Sequence, residues 1–134
     1  MKQAFIFLFL VIAIQACEFN VSTASLSDIK ICTELASDEC TASQTTIDAN
    51  VPYIYATAQL KNVPTETEIT ISWQYDNQGS WYEIDLVKLK TDNSTTIKSS
   101  LSAPTNGWPK GNYKVIFSLN TDNSTPVEVN FSIP

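Results

Sequence analysis

From residue 28 onward, apolar residues recur at every second position in short runs, and between Cys17 and Pro134 they never sustain a helical period. That alternation marks a pleated strand with one face toward a core; an amphipathic helix instead repeats its apolar stripe about every 3.6 residues. Ile29 and Ile31 alternate with Asp28 and Lys30 on the way into Cys32. Ile54, Ala56, Ala58 and Leu60 share a face, as do Ile69, Ile71, Trp73 and Tyr75. Tyr82, Ile84 and Leu86 stand against Glu83 and Asp85, and Ile97, Ser99 and Leu101 follow. Tyr113, Val115, Phe117 and Leu119 alternate cleanly near the end, and so do Val127, Val129, Phe131 and Ile133. About seven short strands of this kind predict an all-β antiparallel sandwich of two sheets. Its expected core is Ile54, Leu60, Ile71, Trp73, Tyr113, Val115, Phe117, Val129 and Phe131.

The breaks between runs carry turn chemistry. Asp76–Ser80 reads as a hairpin loop in which Gly79 supplies a positive φ. Thr-Asp-Asn-Ser-Thr occurs twice, at 91–95 and 121–125. Asp and Asn bond their own backbone and tolerate tight turns, so both copies are read as turns and not as a structural repeat. The stretch after Ile31 has room for one helical turn.

Ahead of this pattern, Lys2 precedes eleven apolar residues, Ala4 to Ile14. A spanning helix needs about 20 apolar residues, so the run has the layout of an export signal and not of an anchor. Ile14-Gln15-Ala16-Cys17 resembles the lipobox of bacterial lipoproteins, although Gln15 departs from the small residue usual in its slot. The resemblance implies cleavage before Cys17 and lipid on its sulfur; the alternative is an ordinary signal with Cys17 incidental. The expected organisation is a removed signal over 1–16, a lipidated cysteine and tether over 17–27, and one domain over 28–134. Residues 18–27, fully extended, would reach roughly 30–35 Å. With three cysteines in the chain, giving Cys17 to lipid leaves Cys32 and Cys40 as a pair. A structural disulfide between them is expected, closing a short loop; the two-residue spacing of a redox pair is absent.

Composition excludes several functions. The chain has eight basic residues, all lysine, against fourteen acids, a net charge of −6, and no histidine. Such a balance is unsuited to nucleic acid, where affinity rests on neutralising phosphates. Without histidine there is no Ser-His-Asp site and no His-ligated zinc, and three glycines make no phosphate loop. Glu83 and Asp85, two apart on a strand, would share a side at roughly 6–7 Å, near glycosidase spacing, but a solvated strand face is the simpler reading. The Asp-Asn turns lack calcium-loop spacing. Asn20, Asn93, Asn123 and Asn130 begin N-x-Ser/Thr sequons, as chains rich in Asn, Ser and Thr do by chance. No enzymatic activity, metal or cofactor is expected.

Asn106-Gly107-Trp108-Pro109, then Gly111-Asn112-Tyr113-Lys114-Val115 and a final hairpin, resemble the ending of immunoglobulin-like domains of bacterial surface proteins. The likeness reaches back to Val63-Pro64 and Trp73, and it implies an immunoglobulin-like or fibronectin-III-like sandwich. It further implies a tyrosine corner at Tyr113 and Trp73 at the centre of the core. The expected function is a non-enzymatic interaction module of the cell envelope, extracytoplasmic and held to the membrane by lipid on Cys17, with a protein or glycan partner. Tyr53, Tyr55, Trp81 and Trp108 are the candidate binding surface. The alternative is a carbohydrate-binding domain, tethered or secreted, with Trp81 or Trp108 as stacking platform; for Trp108 the competing reading is a plug at one end of the sandwich.

Overall fold

The computed structural model describes residues 21–134; the export segment and Cys17 lie outside them. Among the described residues there are seven strands and no helix: β1 (Ser25–Cys32), β2 (Tyr53–Lys61), β3 (Thr67–Asn77), β4 (Ser80–Thr91), β5 (Thr95–Ser102), β6 (Gly111–Leu119) and β7 (Val127–Ile133). They form two antiparallel sheets, one ordered β1-β2-β5 and the other β4-β3-β6-β7. Every strand expected from alternation is present, and the architecture is an immunoglobulin-like β-sandwich.

The pleat explains the packing. Ile54, Ala56, Ala58 and Leu60 of β2 face Ile69, Ile71 and Trp73 of β3 across the sandwich, all essentially without solvent contact. Trp73 is wholly buried, and a buried indole N–H needs an acceptor. Ser99 of β5 supplies it from the opposite sheet at 2.9 Å. Phe131 meets the indole edge-on at 6.4 Å between ring centres. Of the nine expected core residues only Val129 is merely half-buried, packed against the rim of the cluster.

Turns follow the expected chemistry. Asn77 pairs with Ser80, so Gln78 and Gly79 form a two-residue turn with φ of 55° and 91°, as a right-twisted hairpin requires. Both Thr-Asp-Asn-Ser-Thr copies are connections, one from β4 to β5 and one from β6 to β7. The single helical turn is absent. Ala36 and Glu39 bridge instead, across Ser37 and Asp38, both at positive φ.

Two features depart from simple alternation. β1 opens at Ser25, inside the stretch read as tether, and shifts register between Ser27 and Lys30, with Asp28 at φ 52°. In β4 a bulge places Asp85 opposite Trp73 but Glu83 opposite Gln74, leaving Ile84 without a partner. One extra residue reverses the faces beyond it. Val87 and Leu89 consequently pack on the core, whereas Tyr82, Ile84 and Leu86 are 57%, 47% and 45% exposed on this edge strand.

The loop between β1 and β2 closes the side where first and last strands meet. Gln44 N–H donates to the Ile31 carbonyl, Ser132 N–H to the Thr45 carbonyl, and Ile47 N–H to the Ser132 carbonyl. Ile47 is thereby driven into the core at 1% exposure.

Candidate functional site

The ends of the sandwich are chemically distinct. At one end lie the N-terminal segment and the turns after β2, β4 and β6. Ser22 is clasped there by Asn123, whose side-chain oxygen accepts from Ser22 N–H at 3.0 Å and whose amide donates to the Ser22 carbonyl at 2.8 Å. Thr23 Oγ1 donates to the Asn62 carbonyl at 2.7 Å. Residues 22–27, expected to be tether, are therefore part of the domain. The second Thr-Asp-Asn-Ser-Thr turn makes this clasp, while the first folds on itself, with the Asn93 amide donating to Asp92.

The opposite end carries the aromatic residues. Gly111 enters β6 at φ +139°, and a side-chain carbon there would stand 3.2 Å from the Tyr75 ring. Tyr75 uses that space to donate its hydroxyl to the Lys110 carbonyl at 2.9 Å. Two residues on, the Tyr113 hydroxyl donates to the Pro109 carbonyl, which is the tyrosine corner the Gly-x-Tyr resemblance implied. Burial, and then the nearby Tyr75 phenol, push the Tyr113 pKa up to about 12. Trp108 is 7% exposed and donates its indole N–H to the Val51 carbonyl at 2.7 Å. It is a plug, and its place in the candidate binding surface is corrected accordingly: an indole so nearly buried offers a ligand little surface. An apolar recess beside it, bordered by Tyr75, Ile84, Pro104 and Tyr113, holds about 160 Å³, small for a ligand site.

The other three candidates are outward-facing as alternation required, but they do not form one surface. Tyr53 and Tyr55 stack with centroids 6.1 Å apart on the outer face of β1-β2-β5. Trp81 lies on the outer face of the other sheet and points the opposite way. Glu83 and Asp85 are also separated, since the β4 bulge sets them on opposite faces. Glu83 accepts from Ser72 Oγ at 3.0 Å on the outer face, and Asp85 stands on the inner side opposite Trp73.

Cys32 and Cys40 are joined in a disulfide with Cα atoms 5.7 Å apart. The loop they close folds over the outer face of the small sheet. Cys40 N–H donates to Thr57 Oγ1 at 3.3 Å, and Asp38 pairs with Lys98 at 3.2 Å. Thr57 is outward in the pleat yet fully buried beneath this loop.

Trp81 borders an open cavity of about 480 Å³, with Thr45, Asn112, Asn130, Phe131 and Ser132. Register brings these together. Asn112 pairs directly with Ser132, and Lys114 with Asn130, all outward because Tyr113 and Phe131 point inward. Thr45 arrives from the loop bound along β7. Trp81 reaches across β3 to β6, where the Lys114 ammonium sits 4.2 Å from its ring centre and pairs with Glu128 at 3.5 Å. Alternation could find Trp81, Asn112 and Asn130 as outward residues. It held no signal that Thr45 would join them.

No protein-family model matches the sequence, and no curated protein matches it. Among solved structures, a Niemann-Pick type C2 protein from Japanese carpenter ant is similar in fold, with 12% identity, a TM-score of 0.51, and coverage of 86% of this chain and 95% of that one. The chain also resembles part of a β-glucosidase from Erythrobacter marinus at 6% identity and TM-score 0.49, covering 84% of this chain but 16% of the enzyme. A CARDB domain from Pyrococcus furiosus is 12% identical with TM-score 0.41, covering 84% of this chain and 97% of that domain. At such identities a likeness speaks of fold alone.

Proposed function

We propose that this chain is an extracytoplasmic, non-enzymatic binding module, anchored in a bacterial cell envelope by lipid on Cys17 and engaging its partner through the Trp81 end. The observation that carries the reading is the polarity of the domain. The N-terminal segment is clasped by Asn123 and Asn62 at one end, and the open cavity lies at the other. The length of β6 alone separates the ends by roughly 25–30 Å at strand rise. The disulfide supports an oxidising, extracytoplasmic location, and no helix among the described residues is long and apolar enough to cross a membrane.

Docking of Ser22 shortens the proposed tether. Only residues 17–21 separate the lipid from the first clasp, roughly 15–18 Å if extended. The domain is then held close to the headgroups by its Asn123 end, with Trp81 outward. Two or more acyl chains are needed for stable anchoring, at about 0.8 kcal/mol per buried methylene.

The test is palmitate labelling in a bacterial host read beside membrane fractionation. Wild-type protein is expected to take label and sediment with membranes. Cys17→Ala is expected to lose both while keeping its melting transition. Unlabelled wild-type protein in the soluble extracytoplasmic fraction would make the module secreted.

A further inference from the structure

We infer that the cavity beside Trp81 is a binding site for an uncharged saccharide, which deepens the module reading above and rests on it for the location of the site. Sugar rings present two chemistries at once: an apolar face of C–H groups and a rim of hydroxyls that each donate and accept. A complementary site needs one fixed aromatic plane and several groups with both hydrogen-bonding senses. Trp81 supplies the plane. Lys114 lies over one ring face and pairs with Glu128, which favours this orientation of the indole before any ligand arrives. Trp81 also borders the cavity.

The rim is supplied by Asn112, Asn130, Ser132 and Thr45. An Asn amide offers two donors and a two-lone-pair acceptor, and hydroxyls do both as well. Asn112 and Asn130 are exposed, on adjacent strands and one pleat apart, so their amides can serve neighbouring hydroxyls of one ring. No residue bordering the cavity carries a charge, and the nearest ammonium is already paired with a carboxylate. That selects against acidic sugars, nucleotides and phosphates. At about 480 Å³ the volume falls within the roughly 300–1,000 Å³ of small-molecule sites. A protein partner is the less suited occupant, because an interface hot spot gathers several apolar anchors and here Trp81 is the one exposed apolar side chain at the rim.

The three tryptophans make the test direct, since Trp73 and Trp108 are 0% and 7% exposed against 40% for Trp81. Exported mature protein is titrated with maltose, cellobiose, lactose, mannobiose and chitobiose, following acrylamide quenching of tryptophan emission. At least one disaccharide is expected to shield Trp81 from the quencher. Trp81→Ala should abolish binding, measured by calorimetry. Asn112→Ala and Asn130→Ala, both at exposed positions, should each weaken it by about fivefold, as for one hydrogen bond, with unchanged melting. A folded protein that binds none of the five and none of a wider neutral-glycan array overturns the saccharide. So does binding that survives Trp81→Ala. If instead crosslinking from position 81 captures an envelope protein and the array stays blank, the saccharide is overturned while the binding module stands. Saccharide binding by a protein that takes no palmitate would sustain this inference and remove the anchor.

Discussion

The two sheets of the sandwich are built from the same kind of strand but present opposite outer faces. On β1-β2-β5 the chain covers part of the face: the disulfide loop lies over it, buries Thr57 and fixes Asp38 to Lys98, while Tyr53 beyond the loop stays 47% exposed. On β4-β3-β6-β7, among the described residues, no loop of that kind is bonded over the Trp81 end, where Trp81 stands beside Lys114 with Asn112 and Asn130 exposed. Alternation determines which side chains leave the core. It says nothing about whether the face they reach is left to solvent, and that difference decides where a ligand can be met.

The core between the sheets is common to both, so its loss should erase the contrast. Trp73→Ala removes the largest fully buried side chain and orphans Ser99 Oγ, its hydrogen-bond partner in the opposite sheet. The expected cost is about 3–5 kcal/mol, read by chemical denaturation. A variant that unfolds at the parent's midpoint would mean that Trp73 does not join the sheets.

How far the fold could be read in the sequence follows from the reach of each signal. Alternation is local, and it located all seven strands and the burial of Ile71, Trp73, Val115 and Phe117. Turn chemistry is local too, and Gly79 sits where the hairpin needs a positive φ. The Gly111-x-Tyr113 stretch was legible because its corner closes within a few residues, from Tyr113 to Pro109. Features fixed by distant partners were not legible. The β4 bulge is defined by its register on β3, so the sequence did not show that Val87 and Leu89 would turn to the core while Ile84 and Leu86 stay exposed. Trp108 became a plug through Val51, and Asn123 a clasp through Ser22, 101 positions away. A faint signal did exist for Ile47: it stands alone in a polar stretch, where a single isoleucine has little reason to be unless the loop dips into a core. Of the candidate site, Trp81 was readable as an outward aromatic. The cavity was not, since its walls come from β4, β6, β7 and a loop.

Opening the covered face tests the difference at intermediate cost. Replacing both cysteines by serine releases the loop, and closing nine residues is worth about 2–3 kcal/mol in the chain-entropy model. The expected loss is of that size, measured by denaturation of the double variant. Hydrogen exchange should show where it falls. The Cys40 amide, bonded to Thr57 Oγ1, should lose protection, and the amides of β3 and β6 should retain theirs at equal global stability. Uniform loss in both sheets would mean that the loop supports the whole fold and not one face of it.

The smallest effect is expected where the open face is altered. Trp81 is 40% exposed, and its one ring partner is the Lys114 ammonium, a contact worth about 0.5–1 kcal/mol at an exposed site. Lys114 keeps Glu128 when the ring is gone, so no charge is stranded. Trp81→Ala should therefore cost no more than about 1 kcal/mol, several times less than Trp73→Ala, although both remove an indole from the same sheet. The ratio of the two losses, taken from parallel denaturation curves, measures how little of the fold depends on Trp81. A cost near that of Trp73 would make Trp81 a structural residue and close the open face as a place for ligands. A small cost leaves a structurally dispensable indole on an outer face of the sandwich, which is the condition under which a side chain is free to serve binding.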